Sequence, residues 1–90
     1  MVFIMSYEEL VIQVMDKIVR LANSQLSRKM WYKLRCVCPD YRKRRPSRNA
    51  AQKTVVKNIL KDLGFRVVKK EWSRGVYCYY FLIDLDDLTS

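Results

Sequence analysis

The side chains that carry most enzyme chemistry are scarce in this chain. It has no histidine. That excludes Ser-His-Asp and Cys-His catalysis, Cys2His2 zinc fingers and paired-histidine nuclease sites. Cysteine occurs three times, at Cys36, Cys38 and Cys78. The Cys36-x-Cys38 step is tighter than the usual zinc-ligand pair, and a fourth ligand would have to come from Asp40. Cysteines packed as small apolar side chains are the better reading. Among the carboxylates, Asp62 leads to Gly64 and Glu71 to Ser73, so neither begins an acid-x-Lys nuclease motif. Asp84, Asp86 and Asp87 crowd together with no nucleophile or base beside them. The residues therefore point to no enzyme, no cofactor and no metal site.

What the chain has in abundance is cations. In 90 residues, 18 Lys and Arg stand against 9 Asp and Glu, a net charge of +9. The excess is localised: residues 28–74 hold sixteen cations and three acids, a net of +13, while the remainder nets −4. Charge spread for solubility would not segregate in this way, and a polyanion partner is implied. The candidate contacts fall into three groups. Arg42, Lys43, Arg44 and Arg45 form a basic run within a loop at 39–47. Lys53, Lys57 and Lys61 recur once per helical turn, which suits phosphate neutralisation along a groove wall, with Arg48 ahead of them. Lys69, Lys70 and Arg74 lie near a hairpin tip. Asn49 and Thr54 are the uncharged candidates for base edges, although Asn49 serves equally well as a cap at a helix start.

These residues need elements to hold them. A capping box at Ser6 and Glu9 opens a helix to about Asn23, with Met5 placed to staple against Leu10. Leu10, Val11, Val14, Met15, Ile18, Leu21 and Ala22 give this helix one apolar face. The stretch Leu26 to Cys38 reads two ways. As a helix, the favoured choice, it buries Met30, Trp31, Leu34 and Val37. As a strand, it places Tyr32, Leu34, Cys36 and Cys38 on one face. A third segment, about Arg48 to Leu63, has Ser47 as its N-cap and Gly64 as its C-terminal stop. Val55, Val56, Ile59, Leu60 and Leu63 share its apolar face; Ala50, Lys53, Thr54, Lys57 and Lys61 are expected on the other. Phe65–Trp72 and Val76–Ile83 form a β-hairpin across Ser73-Arg74-Gly75. The second hairpin strand is apolar on both faces and needs two covers. Its Tyr77, Tyr79 and Phe81 could serve as a base-stacking platform. No basic residue interleaves with them in sequence, so an inner core or a dimer interface is preferred. The acidic tail, 84–90, is expected to fray.

Helix, helix, basic helix and hairpin in that order resemble the winged helix-turn-helix superfamily over most of residues 6–83. The resemblance is carried by the capped basic helix from Ser47, by Ile59-Leu60-Lys61-Asp62-Leu63-Gly64-Phe65, and by the hairpin ending Gly75-Val76-Tyr77-Cys78-Tyr79-Tyr80-Phe81. It implies a helix in the DNA major groove and a wing on a flanking phosphate or the minor groove. Arg48, Asn49, Lys53, Thr54 and Lys57 would then face DNA, and Lys69, Lys70 and Arg74 would form the wing contact. Residues 36–47 depart from the pattern, replacing its short turn with a long basic loop that can itself track the backbone.

The expectation is a single α+β, winged-helix-like domain over residues 1–90. It binds duplex DNA as a homodimer, through the last strand or the first helix, and regulates transcription or organises DNA. The Met1–Met5 apolar run is too short for a membrane span or a secretory signal, and the cysteine count is odd; an intracellular setting follows, in cytoplasm, nucleoid or nucleus. Two rivals remain. If Met1–Met5 and Trp31–Cys38 are strands, the order resembles the Alba-like fold and implies an RNA-binding module. Alternatively, the basic surface docks an acidic protein.

Overall fold

The computed structural model describes residues 6–39 and 46–89. Helix α1 spans Tyr7–Ser24, and the Ser6 hydroxyl caps it by accepting from the Glu9 N–H at 3.2 Å. Strand β1 (Lys29–Lys33) and a 3₁₀ turn (Leu34–Val37) follow. Helix α2 (Pro46–Asp62), strands β2 (Val67–Ser73) and β3 (Val76–Asp84) and a short helix α3 (Leu85–Thr89) complete the chain. The class is α+β. The three strands form one antiparallel sheet in the order β1-β3-β2.

Residues 26–38 depart from the helix expected there. Lys29–Lys33 is a strand, with Tyr32 opposite Phe81 and Trp31 opposite Leu82. The doubly apolar β3 explains the outcome, because as the central strand it pairs along both edges and recruits the one other aromatic-rich segment. The pairing ends at Lys33, where the 3₁₀ turn sends Leu34, Val37 and Cys38 into the core. Among the described residues a single long helix therefore precedes α2, where two were expected.

The core lies on one face of the sheet. Leu10, Val14 and Ile18 of α1 and Val56, Ile59 and Leu60 of α2 close over Phe81 and Ile83 of β3. Phe81 is fully buried, with Tyr32 and Phe65 ring centroids at 5.8 and 6.2 Å. At the end of α2, Phe65 N–H donates to Leu60 O at 2.9 Å and Gly64 N–H to Lys61 O at 3.0 Å. With Gly64 at φ 93°, this is a Schellman stop, and it aims the chain into β2. The helix begins at Pro46, so it takes in Ser47, the expected cap; proline tolerates a first-turn position because its missing N–H would have no helical partner there.

The hairpin turns through Arg74-Gly75, two residues rather than three, with Ser73 opposite Val76 and an irregular register at Glu71/Ser73. The acidic tail also departs from expectation. Leu85 N–H donates to Arg28 O at 2.8 Å, Asp86 reaches Arg28 at 3.3 Å and Asp84 reaches Lys29 at 3.6 Å, so residues 85–89 are helical and tied to β1 and the residue before it.

Candidate nucleic-acid interface

Beyond Lys33 the sheet loses β1, and β2 and β3 continue as a two-stranded ribbon alongside α2. The space left is a groove of about 250 Å³ lined by Lys33, Leu34, Arg35, Lys53 and the β3 segment Val76–Tyr79. The pleat decides what enters it. Tyr77, Tyr79 and Phe81 share one face of β3, but their burial is graded. Phe81 is sealed under the helices, Tyr79 is half-buried, and Tyr77 is 56% exposed. One face is therefore core at one end and an open aromatic surface at the other.

Cations from two elements converge on that surface. The Lys57 ammonium of α2 sits 5.0 Å from the Tyr79 ring centroid. Lys69 of β2 lies 5.9 Å from the same ring and 5.3 Å from that of Tyr77. These distances are within cation–π range. The basic-aromatic interleaving absent from the linear sequence is thus present in space. Lys69 is three residues past Arg66 but stands directly across the ladder from Tyr79.

Lys53 and Lys57 are half-buried on the flank of α2 that meets the sheet, not on its open face. Lys53 shares a stripe with Asn49, Val56 and Leu60, at steps of four, three and four, and its ammonium leaves the core edge at the groove. It lies near enough to Cys38 to offset in part the burial that pushes that thiol up to about 11. The Cys38 S–H donates to Leu34 O at 3.3 Å. The open face of α2 carries Ala51, Thr54, Val55, Asn58 and Lys61, and the Thr54 hydroxyl donates to Ala50 O at 3.1 Å. Val55 and Leu63, expected in the core, are partly exposed because the sheet covers a narrower stripe than the periodicity suggests.

The remaining expected contacts are dispersed. Asn49 is 6% exposed, so it is a buried polar residue and not a base-edge reader; its stripe position turns it inward. Lys70 points to the opposite sheet face, paired across the ladder with Cys78. Arg74 is exposed at the turn, where Gly75 N–H donates to the Glu71 carboxylate at 3.0 Å. Arg48 falls in the first turn of α2. Arg42, Lys43, Arg44 and Arg45 lie outside the described residues. Lys33 and Arg35 were missed as groove residues; the signal was available only once the strand was known to end at Lys33. Among the described residues no three His, Cys, Asp or Glu side chains gather where a metal could sit. Comparison with family models, with curated proteins and with solved structures returns no match for this chain.

Proposed function

We propose that this chain binds double-stranded DNA, with α2 and the β2-β3 hairpin acting as helix and wing. The observation that carries the reading is the convergence of Lys57 and Lys69, from helix and hairpin, on the ring of Tyr79. Together with Lys53 they form a basic rim on a rigid support, because Tyr79 packs against the core cluster. Phosphates supply the complementary charge, and the projecting ribbon supplies a second point of contact beside the helix. The order of a long helix, an edge strand, a short helical turn, a basic helix and then a hairpin is compatible with the winged-helix layout. Its expected job is transcriptional regulation or DNA organisation.

A homodimer forms through α1 in this reading. Ile12, Met15 and Val19 make an exposed apolar stripe, with Ile12 65% exposed, and the stripe borders an apolar groove of about 430 Å³ completed by Leu63, Phe65 and Leu88. The last strand is the poorer candidate, since β3 is interior to the sheet. No helix among the described residues is long and apolar enough to cross a membrane.

Fluorescence anisotropy against duplex DNA and duplex RNA, each over a salt series, tests the proposal. Tight duplex-DNA binding with a steep salt slope supports it. A preference for duplex RNA transfers the assignment to an RNA module, and no binding at moderate salt leaves an acidic protein as the partner.

A further inference from the structure

The sheet has a second face, and among the described residues no helix of the core covers it. The ladder places Trp31 and Lys33 of β1, Tyr80 and Leu82 of β3, and Val68 and Lys70 of β2 on this side. Trp31 is 39% exposed. Arg66 lies 5.9 Å from its ring and Lys70 lies 5.7 Å from it, so cations from β2 and the residue before it reach across the sheet to the indole. Tyr80 stands between Lys33 and Val68 on the same face. Lys29 is here too, paired with Asp84 at 3.6 Å, and Asp87 borders the same end of the face beside Arg66 and Leu82.

We propose that this outer face is a separate binding site for single-stranded nucleic acid, in which Trp31 and Tyr80 stack on bases while Arg66 and Lys70 meet phosphates. An exposed indole flanked by cations suits a partner that offers both a π-face and negative charge, and bases offer their faces only when they are out of a duplex. Among the described residues this face also presents no helix or hairpin to enter a groove, unlike the other side. A second copy of the chain is a poor occupant, because it would set Lys33, Arg66 and Lys70 against the same three cations. The proposal does not rest on the duplex reading: Lys33 borders both surfaces, but Trp31, Tyr80, Arg66 and Lys70 lie outside the groove that Lys53, Lys57 and Lys69 border.

The test compares labelled oligo-dT and oligo-U strands of about 12 nucleotides, within the range such surfaces cover, against a DNA duplex. Wild type, Trp31→Ala, Trp31→Phe and Lys53→Ala/Lys57→Ala proteins are titrated at fixed salt, with poly-glutamate as competitor. Trp31→Ala is expected to weaken single-strand binding about tenfold, with Trp31→Phe recovering most of the loss, while duplex affinity stays unchanged. The lysine pair is expected to do the reverse, and the tighter of the two strands names the natural one. Indole quenching on strand binding, present in wild type and lost in Trp31→Phe, gives a second readout that does not depend on how well Trp31→Ala folds. Single-strand affinity indifferent to Trp31 together with absent quenching overturns the proposal, as does displacement of the strand by poly-glutamate as effective as that by unlabelled strand.

Discussion

Removing the three ammonium groups around Tyr79 gives the sharpest test of the helix-and-hairpin site. Lys53, Lys57 and Lys69 come from two elements but border one surface. If each neutralises one duplex phosphate, each alanine substitution lowers the slope of log affinity against log salt by about 0.9. The triple variant should therefore lose about 2.7 units. Between roughly 50 and 200 mM salt, that is a factor of about 40 in affinity that wild type sheds and the variant does not. Anisotropy with one duplex over that range measures it directly. Arg20→Ala, on α1 and paired with Asp16 at 3.1 Å, removes as much charge as any one of the three lysine substitutions, but outside the groove, and should leave the slope nearly unchanged. Losing Lys57 also removes a cation–π contact worth about 0.5–1 kcal/mol, so melting temperatures must accompany the binding data. A triple variant that keeps the wild-type slope would mean these lysines do not meet phosphate, and the site would have to be abandoned.

Five further outcomes are expected. Phe81→Ala, at a fully buried position between two aromatic rings, should cost about 3–5 kcal/mol in chemical denaturation. Gly64→Ala should cost about 1–2 kcal/mol although nothing lies within 4 Å of the added methyl, because the penalty is the positive φ alone; Gly64→Asn should cost less. Alkylation should proceed at Cys36 before Cys78 and at Cys38 last, following exposure, as peptide mapping would show. Burial raises the Cys38 thiol from 9.0 to about 11, so the unfolded chain gives up that proton first: stability is full below about pH 9 and falls as pH rises towards 11, a fall reduced in Cys38→Val. For the dimer, Met15→Glu with Val19→Glu should halve the mass seen by sedimentation while leaving the helical signal intact; an unchanged mass removes α1 as the interface.

Local signals proved readable where one residue decides the geometry. Ser6 caps α1, Gly64 stops α2 and Gly75 turns the hairpin, each because its side chain, or lack of one, permits a conformation that neighbours do not favour. The segment at 29–33 was harder, because Met30, Trp31 and Tyr32 satisfy helical and strand periods alike, and only β3's need for a second neighbour decides between them. The same distinction governs the site. Lys53, Lys57 and Lys69 were visible as cations, yet their meeting depends on which residue of β2 stands opposite Tyr79. Asn49 was misplaced by the same logic: helix periodicity names stripes, and packing decides which stripe turns inward.

The alternation along β3 places Tyr79 beside the groove, Tyr80 on the outer sheet and Phe81 in the core within three consecutive residues. Such a strand tolerates substitution far better than it tolerates a change of length. Deleting one residue between Tyr77 and Phe81 would invert every position on one side of the cut, trading the core ring for a surface tyrosine and emptying both faces together. Inserting residues at Arg74-Gly75 would change only the reach of the ribbon. Descendants of this chain should therefore accumulate insertions and deletions at the hairpin tip, while the length of residues 77–83 stays fixed.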